Sequence, residues 1–453
     1  VGDGVLTAVV TMTMTVAADV GGTQGADTLY GSTAAEIIQS LAGDDTVDGG
    51  GGADIIDAGA DNDTVTFRDS ESSIQGGTGV DTLVVANTVT AVKVFDLSNA
   101  TNQNQSDKDG ATAGEINGDD GATILGFENI NLSASNVRNT VEDGAATTSI
   151  IGGFERDNIS IDNATGTIVV SGGAEIDTID ANSAATSVTI NGGTGNDVIT
   201  SQATVTGTLI VNGDAGDDNI NVSLSTGTTA TTVNGGDGID TIVGGTDNET
   251  LNGDAGGDTI TTSSGVDIVN GGAGNDTIMM AGNLTSADQI DGGDDTDTLS
   301  LNAGNADADF TLVTNVETVT NATAGTLTLG AFAQAAGVRT VVLTDAINTV
   351  TAGAYTTAMT VDAKASTNKL DTMTLSSGDD TIIFDGVTGL EDGDIINTGT
   401  GTDTIQLDNS AAAVTIVVDM DDTTGFEKIT VLDVDGSNAG TTQNITATFA
   451  AIT

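Results

Sequence analysis

A nine-residue period, held without a register slip over long stretches, constrains this chain more than any other feature. Residues 49–57 read GGGGADIID, a fit to G-G-x-G-x-D-x-U-x with U aliphatic. Moving nine residues at a time gives GTQGADTLY (22–30), GSTAAEIIQ (31–39), SLAGDDTVD (40–48) and AGADNDTVT (58–66). A degenerate FRDSESSIQ (67–75) follows, and then GGTGVDTLV (76–84). The aliphatic positions of this tract are Leu29, Ile38, Val47, Ile56, Val65, Ile74 and Leu83. A second tract, 235–279, reads GGDGIDTIV, GGTDNETLN, GDAGGDTIT, TSSGVDIVN and GGAGNDTIM. One GGxGxD would be weak; two locked registers do not arise by chance. Glycines at these places permit left-handed turns that aim backbone carbonyls inward. The x-U-x triplet is a short strand with one aliphatic side chain turned into a narrow core.

Composition narrows the chemistry. Acidic residues number 66 against 9 basic, a net charge of −57, and Pro, Cys, His and Trp are absent. No disulfide, no Cys or His zinc site and no catalytic His or Cys can therefore exist. Nucleic-acid binding needs clustered Lys and Arg, and anionic membrane surfaces repel such a chain, so neither is expected as a partner. No spacing singles out a pair of acids for glycoside hydrolysis, and an enzyme is not expected. With 37% hydrophobic residues but 2% aromatic, the chain suits thin, layered β structure. Acidic, Gly-rich composition also matches disordered chains, but the unbroken strand period argues against that.

The repeats resemble the RTX (repeats-in-toxin) calcium-binding nonapeptide family. The resemblance implies an all-β fold, a parallel β-solenoid or β-roll with calcium-binding GGxGxD turns along its edges. Calcium takes about 6–8 oxygen ligands, and the Asp of each turn supplies a hard carboxylate. In the family one coil is two nonapeptides, so turns two units apart stack on one edge with calcium between them. Carried onto this sequence, Asp27, Asp45, Asp63 and Asp81 form one ladder. Glu36 and Asp54 fall on the opposite edge, where Ser72 leaves the next position without a carboxylate. In the second tract Asp240, Asp258 and Asp276 share an edge, faced by Glu249 and Asp267. Glu at this position departs from the family pattern.

The segment before the second tract repeats a strand, a GGxxxD turn and a second strand. It runs TSIIGGFERDNIS (148–160), TIVVSGGAEIDTID (167–180), SVTINGGTGNDVIT (187–200) and TLIVNGDAGDDNIN (208–221). Its turn acids Asp157, Asp177, Asp197 and Asp218 lead to Asp240 at spacings of 20, 20, 21 and 22. These are expected to be the same coils with the non-calcium corner lengthened, so that the ladder continues through Asp276 to Asp297. Glu155 and Glu175 replace the fourth-position Gly in two of them. Isolated late units add Asp380 and Asp403. A second motif follows calcium repeats three times: GFENINL (126–132), NVETVT (315–320) and GFEKITV (425–431). Its Phe or Val reads as a core filler, and the repeat-then-GFE order resembles bacterial surface-layer and other RTX surface proteins.

The organisation expected is a strand segment at 1–21 and a first calcium β-roll at 22–84. Coils with a polar surface loop near 98–121 follow at 85–146. A second calcium solenoid at 147–300 leads to calcium-poor β coils at 301–372, among them TLTLGAFA and RTVVLT. The C-terminal coils at 373–453 carry two isolated calcium loops. Residues 1–20 hold no Lys or Arg for a signal n-region, so the chain reads as processed or as part of a longer product. The function expected is a calcium-dependent extracellular structural protein, the self-assembling subunit of a bacterial surface layer or filament. The alternative is the stalk of a secreted RTX adhesin or biofilm-matrix protein. The partners expected are further copies of the chain, joined head to tail through the terminal strands at 5–20, uncharged until Asp19, and at 441–453, and cell-surface polysaccharide. Type I secretion suits a chain that stays unfolded in low-calcium cytosol. On the order of fifteen calcium ions would return about +30 of charge, coupling binding to folding.

Overall fold

The computed structural model describes residues 19–448 apart from 69, 90–92, 98–102, 104–122, 203–204, 206, 225–229, 303, 322–324, 345–347, 367–370, 386–394, 409–414, 420–422, 425 and 433–443; it places no side chain at 96, 123–125 or beyond 406. The expected assembly strand at 5–20 apart from Asp19 and Val20, most of the polar insert, and all of 441–453 but 444–448 lie outside the described residues. All strand pairings among the described residues are parallel. The chain divides into two compact units, Val1–Asn158 and Ile159–Thr453.

In the first unit, short strands alternate between two sheets. Asp19–Gly21, Ile37–Gln39, Ile55–Ala60 and Ser73–Thr78 stack in one, and Thr28–Tyr30, Thr46–Asp48, Thr64–Phe67 and Thr82–Val85 in the other. Ile38 lies beside Ile56, and Leu29 beside Val47, so one coil is two nonapeptides. Ile38, Val47, Ile56, Val65, Ile74 and Leu83 are fully buried between partly or fully exposed neighbours. Each such burial contributes about 1.5–3 kcal/mol, which is what lets three-residue strands persist.

In the second unit one sheet carries long strands, among them Thr167–Ala174, Ser187–Thr194, Thr208–Ala215, Ala230–Asp237 and Glu249–Ala255. The facing sheet carries short ones, such as Val198–Ser201, Thr259–Thr262, Thr318–Asn321 and Thr360–Asp362. Ile199, Ile220, Ile242, Ile260, Ile278, Leu299, Val319, Val341, Val361 and Ile382 form one buried row of that short-strand sheet. The extra residues of the longer coils fall in the corner away from the Asp turns, between Thr178–Ala181 and Ser187–Thr194 for example. On the outer face Asn212, Asn234 and Asn252 each donate Nδ2 to the Oδ1 of the preceding Asn of the row, at 2.7 Å, starting from Asn191. These amide pairs hold neighbouring coils in register.

Two expectations need correction. TLTLGAFA is not one strand: the strand ends at Thr328, and Ala331–Ala336 form an α-helix. Alanine favours helix, and glycines bracket the segment, with Gly337 left-handed (φ 109°) as the terminator. The Asp307 carboxylate accepts the N–H groups of Gly330 (2.7 Å) and Ala333 (3.0 Å), satisfying donors a helix start leaves open. The segment 98–121 is not wholly surface loop either. Gln103 is buried, and its amide donates to Phe127 O (2.7 Å) while accepting the Phe127 N–H (3.0 Å).

Candidate metal centre

The Asp turns of the second unit share one construction, seen in 192–197. Gly193 and Gly195 are left-handed (φ 110° and 125°), and a Cβ on either would run into the backbone carbonyl of the preceding coil, Gly173 O or Glu175 O. Glu175, at a fourth position, is itself left-handed (φ 68°). These turns bring each Asp beneath the next. Asp177, Asp197, Asp218, Asp240, Asp258 and Asp276 each donate the backbone N–H to Oδ1 of the following ladder acid, ending at Asp297, at 2.7–2.8 Å. The expected ladder therefore stands in the second unit from Asp177 to Asp297.

The first unit repeats the arrangement. Asp27 donates to Asp45, Asp45 to Asp63 and Asp63 to Asp81, at 2.7–2.8 Å. On the opposite edge Glu36 donates to Asp54 (2.8 Å), and its carboxylate is held by Ser32. Asp157 accepts the Asn139 N–H (2.7 Å) and, through Oδ2, the Gly153 N–H (2.7 Å). In the second unit Glu249 donates to Asp267 (3.1 Å), so Glu takes the ladder place despite its departure from the repeat pattern. Asp380 accepts from Met359 and donates to Asp403, both at 2.8 Å.

Four acids that the repeat pattern did not single out join these edges. Glu71, beside Ser72, is buried near Asp54 and accepts the Arg68 and Ser70 N–H groups. Asp288 accepts the Asp267 N–H (3.0 Å). Glu128 and Glu317, the acids of the GFE-like motif, accept the N–H of Asp81 (2.8 Å) and Asp297 (2.9 Å) through Oε2. The recurrence of Glu after Phe or Val was the available signal for the last two. Glu71 and Asp288 carry none, because they sit off the nonapeptide grid.

While Oδ1 is used by the ladder, Oδ2 is not. The Oδ2 atoms of Asp45, Asp54, Asp63, Asp81, Asp197, Asp218, Asp240, Asp258, Asp276 and Asp297, and Oε2 of Glu249, are buried with no hydrogen-bond partner among the described residues. In the turns that open on Gly49, Gly192, Gly213, Gly235, Gly253 and Gly271 the Asp Oδ2 lies over that glycine: a Cβ on Gly192 would come 2.5 Å from Asp197 Oδ2 and 2.6 Å from Gly213 O of the next coil. A buried carboxylate oxygen without a donor is costly, and burial is the first cause of the raised pKa of several of these acids. Asp218 and Asp258 are pushed up to about 7, and Asp63, Asp81, Asp197 and Asp297 to about 6, by burial first. Neighbouring carboxylates add to the rise at Asp63, Asp218, Asp258 and Asp297. Burial and Asp267 likewise raise Glu249.

A hard divalent cation answers this arrangement, and the donor set consists of oxygen alone. Among the described residues no three carboxylates converge on one point, so backbone carbonyls and water must complete the shell. Stacked, glycine-turned coils with paired carboxylate and carbonyl oxygens define a parallel β-solenoid with an oxygen-lined edge. The sequence model of the RTX calcium-binding nonapeptide repeat (4 copies) matches residues 30–65, 188–203, 225–260, 243–278 and 284–306. The chain thus carries RTX calcium-binding repeats, a family that binds multiple calcium ions. Asp177 and Asp218 stand outside the matched stretches yet share the same ladder geometry. No curated protein matches the chain. Among the described residues no helix is long and apolar enough to cross a membrane.

Proposed function

We propose that this chain is a calcium-dependent extracellular structural protein, the self-assembling subunit of a bacterial surface layer or filament. The observation that carries the calcium part is the column of buried, unpartnered Oδ2 atoms over turn glycines. RTX repeats are typical of secreted proteins, which supports the location. Asp27, Asp45, Asp63 and Asp81, the acids from Asp157 to Asp297, the opposite-edge acids Glu36, Asp54, Glu249 and Asp267, and Asp380 with Asp403 are the carboxylates assigned to calcium. Calcium neutralises like charges that a coil stack forces together, so the coils close only with the ion bound. Export by type I secretion fits, since low cytosolic calcium keeps such coils open.

Assembly with further copies is the finer part of the reading. A coil stack offers an unpaired strand edge wherever it stops, and edges of that kind pair with another chain. The test is circular dichroism together with electron microscopy, each with calcium and with EDTA. β structure should grow cooperatively as calcium passes about 10⁻⁴–10⁻³ M, and sheets or fibres should appear only with calcium. A spectrum indifferent to proven calcium removal overturns the calcium reading. Single rods at every calcium level overturn self-assembly and favour the adhesin stalk.

A further inference from the structure

We propose that the turns Gly126–Phe127–Glu128 and Asn315–Val316–Glu317 are three-residue calcium turns that close each Asp ladder, with Glu128 and Glu317 as ligands of the last ion. This rests on the calcium reading above and extends it to residues outside the nonapeptide pattern. In the full turn, the first glycine lies under its own Asp Oδ2 and against a glycine carbonyl of the next coil, as Gly271 does with Asp276 and Gly292 O. At the two ladder ends no GGxGxD turn follows. A Cβ on Gly76 would still meet Asp81 Oδ2 (2.9 Å) and Gly126 O, and one on Gly292 would meet Asp297 Oδ2 (2.6 Å) and Asn315 O.

The short turn therefore puts a carbonyl where the first glycine of the full turn would put one. Two residues later it supplies the carboxylate, five residues later in the full turn. Both short turns start left-handed, Gly126 at φ 74° and Asn315 at φ 52°. Both bury an apolar residue next, Phe127 and Val316. Both end on a Glu whose Oε2 accepts the N–H of the last ladder Asp. Glu carries one methylene more than Asp, which lengthens its reach from the shorter turn. The last Asp of each ladder, Asp81 or Asp297, keeps a buried Oδ2 without a donor, facing this turn. A third copy, Gly425–Phe426–Glu427, follows Asp403 in the chain. There Phe426 pairs with Asp403 and Lys428 with Thr404, so Glu427 is the residue at which the strand register slips.

Glutamine is the discriminating substitution, because it keeps an oxygen to accept the Asp N–H and loses only the charge. The full chain and its Glu317→Gln, Glu128→Gln and Asp57→Asn variants are followed by hydrogen exchange across a calcium titration; Asp57 lies on the outer face of Ile55–Ala60. Glu317→Gln should raise, by about tenfold, the calcium concentration that protects residues 289–301, and leave residues 187–201 unchanged. Glu128→Gln should do the same for residues 73–85. Midpoints equal to wild type in both, or an equal shift from Asp57→Asn, overturn the proposal and leave the two Glu residues as hydrogen-bonding caps. A wild-type chain indifferent to calcium overturns the calcium reading itself, so the two failures are distinguishable.

Discussion

Within the second unit, the coils at 187–301 and those at 318–362 are built on one register with different corners. The buried row runs through both, from Ile199 to Val361, and a threonine occupies the same outward place in every strand from Thr241 to Thr360. At the edge, however, the residue before that threonine changes from Asp240, Asp258, Asp276 and Asp297 to Glu317, Arg339 and Met359. Where the acids stop, packing takes over the corner. Phe310, Ala333, Ala336 and Tyr355 are buried there, and the Tyr355 hydroxyl donates to Val338 O (3.1 Å). The sheets and core thus set the coil, and the turn decides only what closes its edge. One edge is lined by carboxylates assigned to calcium, the other is closed by side chains.

Calcium removal should separate the two regions most. An ion held at a hundred times its Kd contributes about 2.7 kcal/mol, so a few ions rival the whole stability of a typical domain, about 5–15 kcal/mol. In EDTA, amide protection should be lost across residues 187–301 and survive across 318–362, read by hydrogen exchange. Loss of both regions together, or of neither, would show that the corner chemistry does not divide the unit.

A smaller effect separates two glycines. Gly192→Ala places a methyl group against Asp197 Oδ2 and Gly213 O, so the oxygen or the coil must shift. Overpacking of this kind costs about 1–3 kcal/mol. In the other region, a Cβ on Gly353 meets only Thr374 Cγ2 at 3.9 Å, and its φ is not left-handed. Gly353→Ala should be neutral or stabilise by up to about 1 kcal/mol. Thermal unfolding in calcium compares the two, and equal losses would remove the special standing of the Asp-side glycine.

How far this was legible in the sequence follows the period. Wherever the nonapeptide holds, the aliphatic row and the stacked acids can be placed by counting, as with Val47 and Asp45. Lengthened coils were also readable, because Asp177, Asp197 and Asp218 keep their turn while the spare residues gather elsewhere. Glu71 and Asp288 were not, since each reaches the edge from an off-grid position that only the backbone path reveals; for Glu128 and Glu317 the recurring Glu after Phe or Val was the one sign. The helix at Ala331–Ala336 escaped for a related reason. Its alternating neighbours resemble strand, and the Asp307 that caps it lies over twenty residues away in the chain.

The smallest effect is the pH dependence, and its sign should turn on calcium in one of the two regions only. Burial in the folded coils pushes Asp218 and Asp258 up to about 7 and Asp197 and Asp297 to about 6, against an ordinary value of 3.8. A carboxyl that holds its proton more tightly when folded favours the folded state wherever it is protonated. That advantage is full below the ordinary value and is lost as pH rises through 6 to 7. In EDTA, therefore, the coils at 187–301 should gain protection as pH falls from 8 to 5. With calcium bound the same acids are ionised ligands, so protons compete with the ion and the same acidification should weaken those coils. Residues 318–351, with Arg339 at the edge and away from the Asp380 carboxylate that accepts the Met359 N–H, should show neither trend. Hydrogen exchange at pH 8, 6.5 and 5, with and without calcium, reads all of this in one series. A slope of the same sign in both conditions would mean that protons and calcium do not share the Oδ2 column.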